Sequence, residues 1–363
     1  MVRSCHPFPF AIGVAALATI AVGCTDGTGS QQSEVVVDPR SEAAWAQYVA
    51  NVEFAQSYVP TCAPDPSSWR LRVLVTGFGR FMENRENATG RMVSRLVPGL
   101  EYPATLPPSP GQIDDPAAQT RVALGVAVLP GVGEVDVCGL VLPVFWDLAP
   151  YLVLREAEVF EPDFVLMNGI AGSLQPLWLE LGSVNEAAAL PDGSGLIEPA
   201  QAGAPLLDEA PPEERARGLL LSWHEVRAGA EDRITAIGAE TDDAGTAFGD
   251  VVQGVLYAGY PRASNTYICN DTAYLVGYVL DHAGETVRLF EPSAPRPGGP
   301  TGIDLTFGPD LHAVPREFVH WPKELHDTHL DRGADVMSHL IAAQLAATTD
   351  PVRGDPAMAD FTE

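Results

Sequence analysis

The sequence predicts an α/β sandwich with a mainly parallel sheet. Short β-branched runs alternate with stretches of helical spacing, two of the runs stop at glycines, and an apolar fraction of 46% supplies a sizeable core. Leu71 to Thr76 (Leu-Arg-Val-Leu-Val-Thr) reads as the opening strand, stopped at Gly77, and Thr89 to Leu96 as the helix after it. Val137 to Val144 is the next apolar strand and Leu148 to Phe160 has helical spacing. Phe164 to Met167 is a further strand, ended by Asn168-Gly169. Val251 to Tyr257 reads as a buried strand, Cys269 to Leu280 as a helix starting at a thiol, and Ala334 to Ala347 as the last helix, apolar on one face. Between these elements, 98–133, 191–249 and 284–315 are rich in Pro, Gly, Asp and Glu and weak in periodicity, so they read as surface insertions. One domain over 69–348 with a polar tail at 349–363 is expected.

The N-terminus reads as an address. Arg3 precedes an apolar run from Phe8 to Gly23, too short to span a bilayer comfortably, and Ala21-Val22-Gly23-Cys24 follows. Small residues ending in cysteine resemble a bacterial lipoprotein cleavage site. Residues 1–23 would then be a signal peptide and Cys24 the lipidated N-terminus; an ordinary secretory peptide, giving a secreted or periplasmic protein, is the alternative. Thr25 to about Pro39 is polar and aperiodic, which suits a tether, and 24–68 as a whole reads as tether and approach segment. The expected location is the cell envelope, with membrane contact through the lipid anchor only.

A formal net charge of −27 excludes nucleic acid and anionic headgroups as partners, because such a chain repels them. Cys62, Cys138 and Cys269 remain in the mature fold. Three thiols in an oxidising compartment permit one disulfide and one survivor. Cys62 lies in a Pro-flanked approach segment and Cys138 in an apolar strand-like run, so pairing these two leaves Cys269 free. Three buried, unpaired thiols fit the spacing equally well.

Cys269 is the candidate nucleophile. A thiol attacks carbonyls as thiolate, which requires an imidazole to take its proton and a third group to orient that imidazole. His320 and Glu180 supply these types, and the positive end of a helix starting at Cys269 favours the thiolate.

Four separated blocks carry a resemblance. Val73-Leu74-Val75-Thr76-Gly77-Phe78 is followed by Phe81 and Asn87; Gly169 to Glu180 leads on to Val184-Asn185; Thr266-Tyr267-Ile268-Cys269-Asn270 is followed by Tyr274; and Phe318-Val319-His320-Trp321-Pro322 closes the set. In this order, over about a third of the chain, they resemble the type I pyroglutamyl peptidases, a family of cysteine exopeptidases. The resemblance implies a three-layer α/β/α sandwich around a mainly parallel twisted sheet, in which Cys269 attacks an acyl carbonyl, His320 shuttles the proton and Glu180 holds the imidazole. It also implies that Phe78, Phe81, Asn87 and Ile170 frame a pyroglutamyl ring, that a peptide is the substrate, and that no metal or organic cofactor is needed. Departures concentrate on specificity. Met82-Glu83 and Ala88-Thr89 replace a glycine pair and Pro-Ser, Leu174 and Ala189-Leu190 stand where arginines are usual, Ser264-Asn265 replaces Ala-Gly, and Ile170 stands where many members have Gln.

Two other readings compete. A noncatalytic envelope peptide-binding protein would keep the pocket without turnover. A metal-dependent hydrolase would use His320, His326 and His329 with Asp327 or Asp331, at a spacing that matches no helical zinc motif. The sequence leaves the oligomeric state open.

Overall fold

The computed structural model describes residues 39–362 except 82–84, 110, 172–175, 200, 263–264, 293 and 326. The signal peptide, Cys24, the tether, Met82-Glu83, Leu174, Ser264 and His326 therefore lie outside the described residues. The first half comprises α1 (Pro39–Ser57), β1 (Arg72–Phe78), α2 (Ala88–Leu96), α3 (Pro116–Gln119), β2 (Arg121–Leu129), β3 (Gly133–Leu142), α4 (Leu148–Phe160), β4 (Phe164–Ile170), β5 (Leu177–Glu180) and β6 (Gly182–Val184). It continues with β7 (Ala216–Gly218), β8 (Leu220–Leu221), α5 (Trp223–Ile237), α6 (Phe248–Val251), β9 (Val255–Ala258), α7 (Ile268–Asp281), β10 (Thr286–Leu289), β11 (Ile303–Thr306), β12 (Arg316–Trp321), α8 (Leu330–Leu345) and β13 (Val352–Arg353).

The central sheet runs β13-β8-β12-β4-β1-β3-β2, with β5 on the free edge of β12 and β9 beyond it. β12, β4, β1 and β3 are mutually parallel, β2 and β8 flank them antiparallel, and β13 pairs antiparallel with β8. Strands buried on both faces read as continuous apolar runs, and Val73, Leu74 and Val75 in β1 and Phe164 to Met167 in β4 are fully buried for this reason. Helices α2, α5 and α8 pack on one face and α4 and α7 on the other, with α1 against α4, which makes the three layers. Gly77 lets α2 close on β1, since a Cβ there would meet the Thr89 carbonyl oxygen at 2.4 Å.

Several segments expected to be loose are built into the fold. The region 98–133 carries β2, which pairs with β3 along its whole length from Arg121↔Val141 to Leu129↔Gly133. Its regional composition is dominated by the flanking Pro and Gly, which hides a nine-residue strand. The region 191–249 contributes β8 and α5, and 284–315 contains the hairpin β10–β11. The expected strand from Val251 begins only at Val255, after the helical turn α6. The approach segment holds α1, whose Val52 and Ala55 are fully buried. The tail is docked as well, through β13 on β8 and the Phe361 ring 5.1 Å from that of Trp178.

Cys62 and Cys138 are joined by a disulfide, which fastens the segment after α1 to β3. Glu156 of α4 reinforces the attachment. It is fully buried and accepts from the Cys62 N–H at 2.8 Å, the Thr61 N–H at 3.0 Å and the Tyr58 hydroxyl at 2.5 Å. Charge-assisted bonds of this kind satisfy a carboxylate removed from water.

Candidate active site

Strand register brings the site together. His320 on β12 lies directly opposite Gly169 on β4, so both project to the same face, the one covered by α7. A Cβ at Gly169 would come within 2.8 Å of the Cys269 sulfur, so only glycine leaves room for the thiol at this point. Cys269 is the second residue of α7, and its sulfur lies close enough to the His320 ring to influence the proton affinity of the imidazole. β5 runs antiparallel to β12 with Val319 opposite Leu179 and His320 opposite Trp178, which puts Glu180 diagonally across from His320. Their side chains meet at 2.6 Å between Nδ1 and Oε1.

Helix α7 is held at its start by Asn270, whose Nδ2 donates to the Val184 and Glu186 carbonyls while its Oδ1 accepts from the Val184 N–H. Behind it, the Asp147 N–H donates to Asp271 at 3.1 Å and the Phe290 N–H donates to Asp147 at 2.6 Å. Burial pushes both carboxyls up, the Asp271 carboxyl with help from the Asp147 charge, and the Asp147 carboxyl to about 6. Cys269 itself is half-buried and is the one free cysteine among the described residues.

Burial pulls the His320 imidazole down, but it is outweighed. The neighbouring Cys269 sulfur and the Glu180 carboxylate together raise the ring from 6.5 to about 10. Glu180 is only 1% exposed and carries two further partners that the sequence reading did not assign: Arg262 donates to Oε1 at 2.7 Å and Asn265 to Oε2 at 3.1 Å. Their only sequence signal was a charged residue and an amide just upstream of the nucleophile block, in a loop with no periodicity to read.

The expected substrate residues fall into two groups. Phe78 is buried at the end of β1, whereas Phe81 is half-buried with its ring 5.7 Å from Tyr267, which in turn packs edge-on to Trp146 at 5.3 Å. Ile170, half-buried, follows Gly169 at the end of β4. Asn87 caps α2, its Oδ1 accepting from the Thr89 N–H at 3.1 Å and from the Thr89 hydroxyl at 2.8 Å.

The described members of the alternative metal set do not come together as ligands. His320 turns to Glu180, His329 lies 3.7 Å from Asp242, Asp327 pairs with Arg91 and Asp331 with Arg95. Among the described residues, Cys62, Cys138 and Glu156 form a group within ligand reach, and its two sulfurs are bonded to each other.

No family model matches the chain, and no curated protein does. Solved structures do. Pyroglutamyl peptidase I of Bacillus amyloliquefaciens is similar at 15% identity and a TM-score of 0.48, over 77% of this chain and 96% of that one. A mutant pyrrolidone carboxyl peptidase of Pyrococcus furiosus is similar at 17% identity and a TM-score of 0.44, over 76% and 98%. The pyrrolidone carboxyl peptidase of Thermococcus litoralis is similar at 16% and 0.44, over 76% and 93%. Roles for residues of this chain rest on its own geometry.

Proposed function

We propose that this chain is a cysteine hydrolase that removes an N-terminal pyroglutamyl or similar N-acyl group from peptides. One observation carries the reading. Glu180, Cys269 and His320, far apart in sequence, meet at the carboxyl ends of β4 and β12 with the imidazole between thiol and carboxylate.

In this reading the Cys269 thiolate adds to the acyl carbonyl, and the carbon–nitrogen bond breaks as His320 gives its proton to the leaving amine. A thioester remains on Cys269. Water then adds to the thioester carbonyl while losing a proton to His320, and the carbon–sulfur bond breaks. The carboxylic acid leaves, and the thiolate–imidazolium pair returns. N–H groups of the first turn of α7 have no intrahelical acceptor and would donate to the oxyanion. Phe81 and Tyr267 offer aromatic walls for the acyl group, and Arg262 and Asn265 position Glu180.

The disulfide supports export to an oxidising compartment, in keeping with a lipid anchor at Cys24. Cys24→Ser should move the protein from the membrane to the soluble fraction. For the activity, the test is release of a fluorogenic amine from pyroglutamyl and other N-acyl amino-acid conjugates. Turnover that persists in folded Cys269→Ala protein would overturn the mechanism.

A further inference from the structure

A cavity of about 600 Å³ lies next to the nucleophile segment and is not used by the chemistry above. Its walls come from α1, from the loop before α4, and from the regions around 187–208 and 288–296. The volume is that of a small-ligand site. Its wall is tied to the segment around Cys269 by two contacts. Trp146, in its wall, packs against Tyr267, and Ala187 of the wall precedes Ala188, whose N–H donates to the Thr266 carbonyl at 2.6 Å.

The lining has one chemical character. Trp45, Tyr48, Trp146 and Phe290 supply aromatic rings. The lining acids are Asp147, Glu198, Asp208 and Glu291, against Arg288 and Arg296. Both arginines are matched, Arg288 by Asp304 at 2.5 Å and Glu291 at 3.2 Å, Arg296 by Glu42 at 2.7 Å. No Lys or Arg among the described residues pairs with Asp147, Glu198 or Asp208, so the cavity keeps uncompensated negative charge. Its rings favour cations as well, since the Arg296 guanidinium already lies 5.1 Å from the Trp45 ring centre. A carboxylate ligand would meet these acids and be repelled, and a neutral one would leave them unused.

We propose that this cavity is a recognition subsite for a cationic side chain, ammonium or guanidinium on an alkyl stem, carried by the peptide beyond the scissile bond. The stem lies along the rings and the charge faces Glu198 and Asp208 at the mouth. The assignment to substrate rests on the peptidase reading; the preference for cations does not.

The experiment uses the full chain and has two arms. Calorimetry compares n-pentylammonium with 1-pentanol and pentanoate; the ammonium should bind about ten-fold tighter than the alcohol, with pentanoate weakest. Turnover compares N-acyl peptides carrying lysine or norleucine one to three residues after the scissile bond. The kcat/KM ratio should favour lysine about ten-fold in the wild type and fall toward one in the Glu198→Gln/Asp208→Asn double variant. These positions are exposed, so the variant should fold, and its circular dichroism and melting curve check this. Ammonium binding no tighter than alcohol binding overturns the proposal, and so does a lysine preference that survives in the folded double variant. Cation-selective binding without turnover of any N-acyl peptide overturns the peptidase reading and leaves the cation site standing.

Discussion

Replacing both Cys62 and Cys138 with alanine should cost the protein about 4.5 kcal/mol, and the figure follows from where the bond sits. The two residues are 76 positions apart, so opening the bond frees a long loop in the unfolded chain; the loop-closure relation gives about 15 cal/mol/K, or about 4.5 kcal/mol at 25 °C. The native state should change little. Both sulfurs are fully buried, and Glu156 continues to hold Thr61 and Cys62 through their backbone N–H groups. For a folded region of this length an unfolding entropy of roughly 2 cal/mol/K per residue converts the loss into a fall in Tm of about 6–7 °C. Thermal unfolding by circular dichroism would compare oxidised wild type, reduced wild type and the double variant, with nonreducing peptide mapping confirming the bonds. The reduced wild type isolates the cross-link and the double variant adds the lost sulfur packing, so the variant should melt at or slightly below the reduced protein. A fall of less than about 2 °C in both would refute the reasoning, because the Glu156 bonds alone would then hold the segment. Mapping that joined Cys269 to either partner would refute it too.

Two further outcomes follow from the site and its surroundings. Cys269→Ala and His320→Ala should each remove nearly all turnover and their combination should add little, as expected when two groups serve one step; Glu180→Gln should be milder, and by NMR should let the His320 ring titrate below about 10, because one cause of its elevation is gone. Burial holds the Asp192 carboxyl up at about 7, so the folded state keeps this proton better than the unfolded chain; stability should be lost as pH rises from about 4 through 7, by up to roughly 4 kcal/mol, and Asp192→Asn should flatten that slope in urea titrations at stepped pH.

Much of the scaffold was legible because short-range signals set it. Leu148–Phe160 forms the helix its spacing predicts, and β1, β4 and α7 lie within two or three residues of their expected bounds. Where the reading failed, the element owed its existence to a partner. β2 is a strand through its pairing with β3, β13 forms only by lying on β8, and α1 is held by α4 and the Cys62–Cys138 bond. β2 and β13 sit in polar or Pro/Gly-rich sequence whose average composition reads as loop.

For the site, the sequence by itself determined the residue types and their local settings: a cysteine at a helix start, a histidine within the Phe318–Pro322 block, an acid in a third block. Such features depend on neighbours a few positions away, which periodicity and motif spacing report. Only the tertiary structure decided that Gly169 makes room for the Cys269 sulfur beside His320, that antiparallel β5 places Glu180 diagonally across from the imidazole, and that Arg262 and Asn265 hold Glu180 from behind. The reason is register. A shift of one residue between β5 and β12 would turn Glu180 to the opposite face, and a register between two strands belongs to neither of their sequences alone.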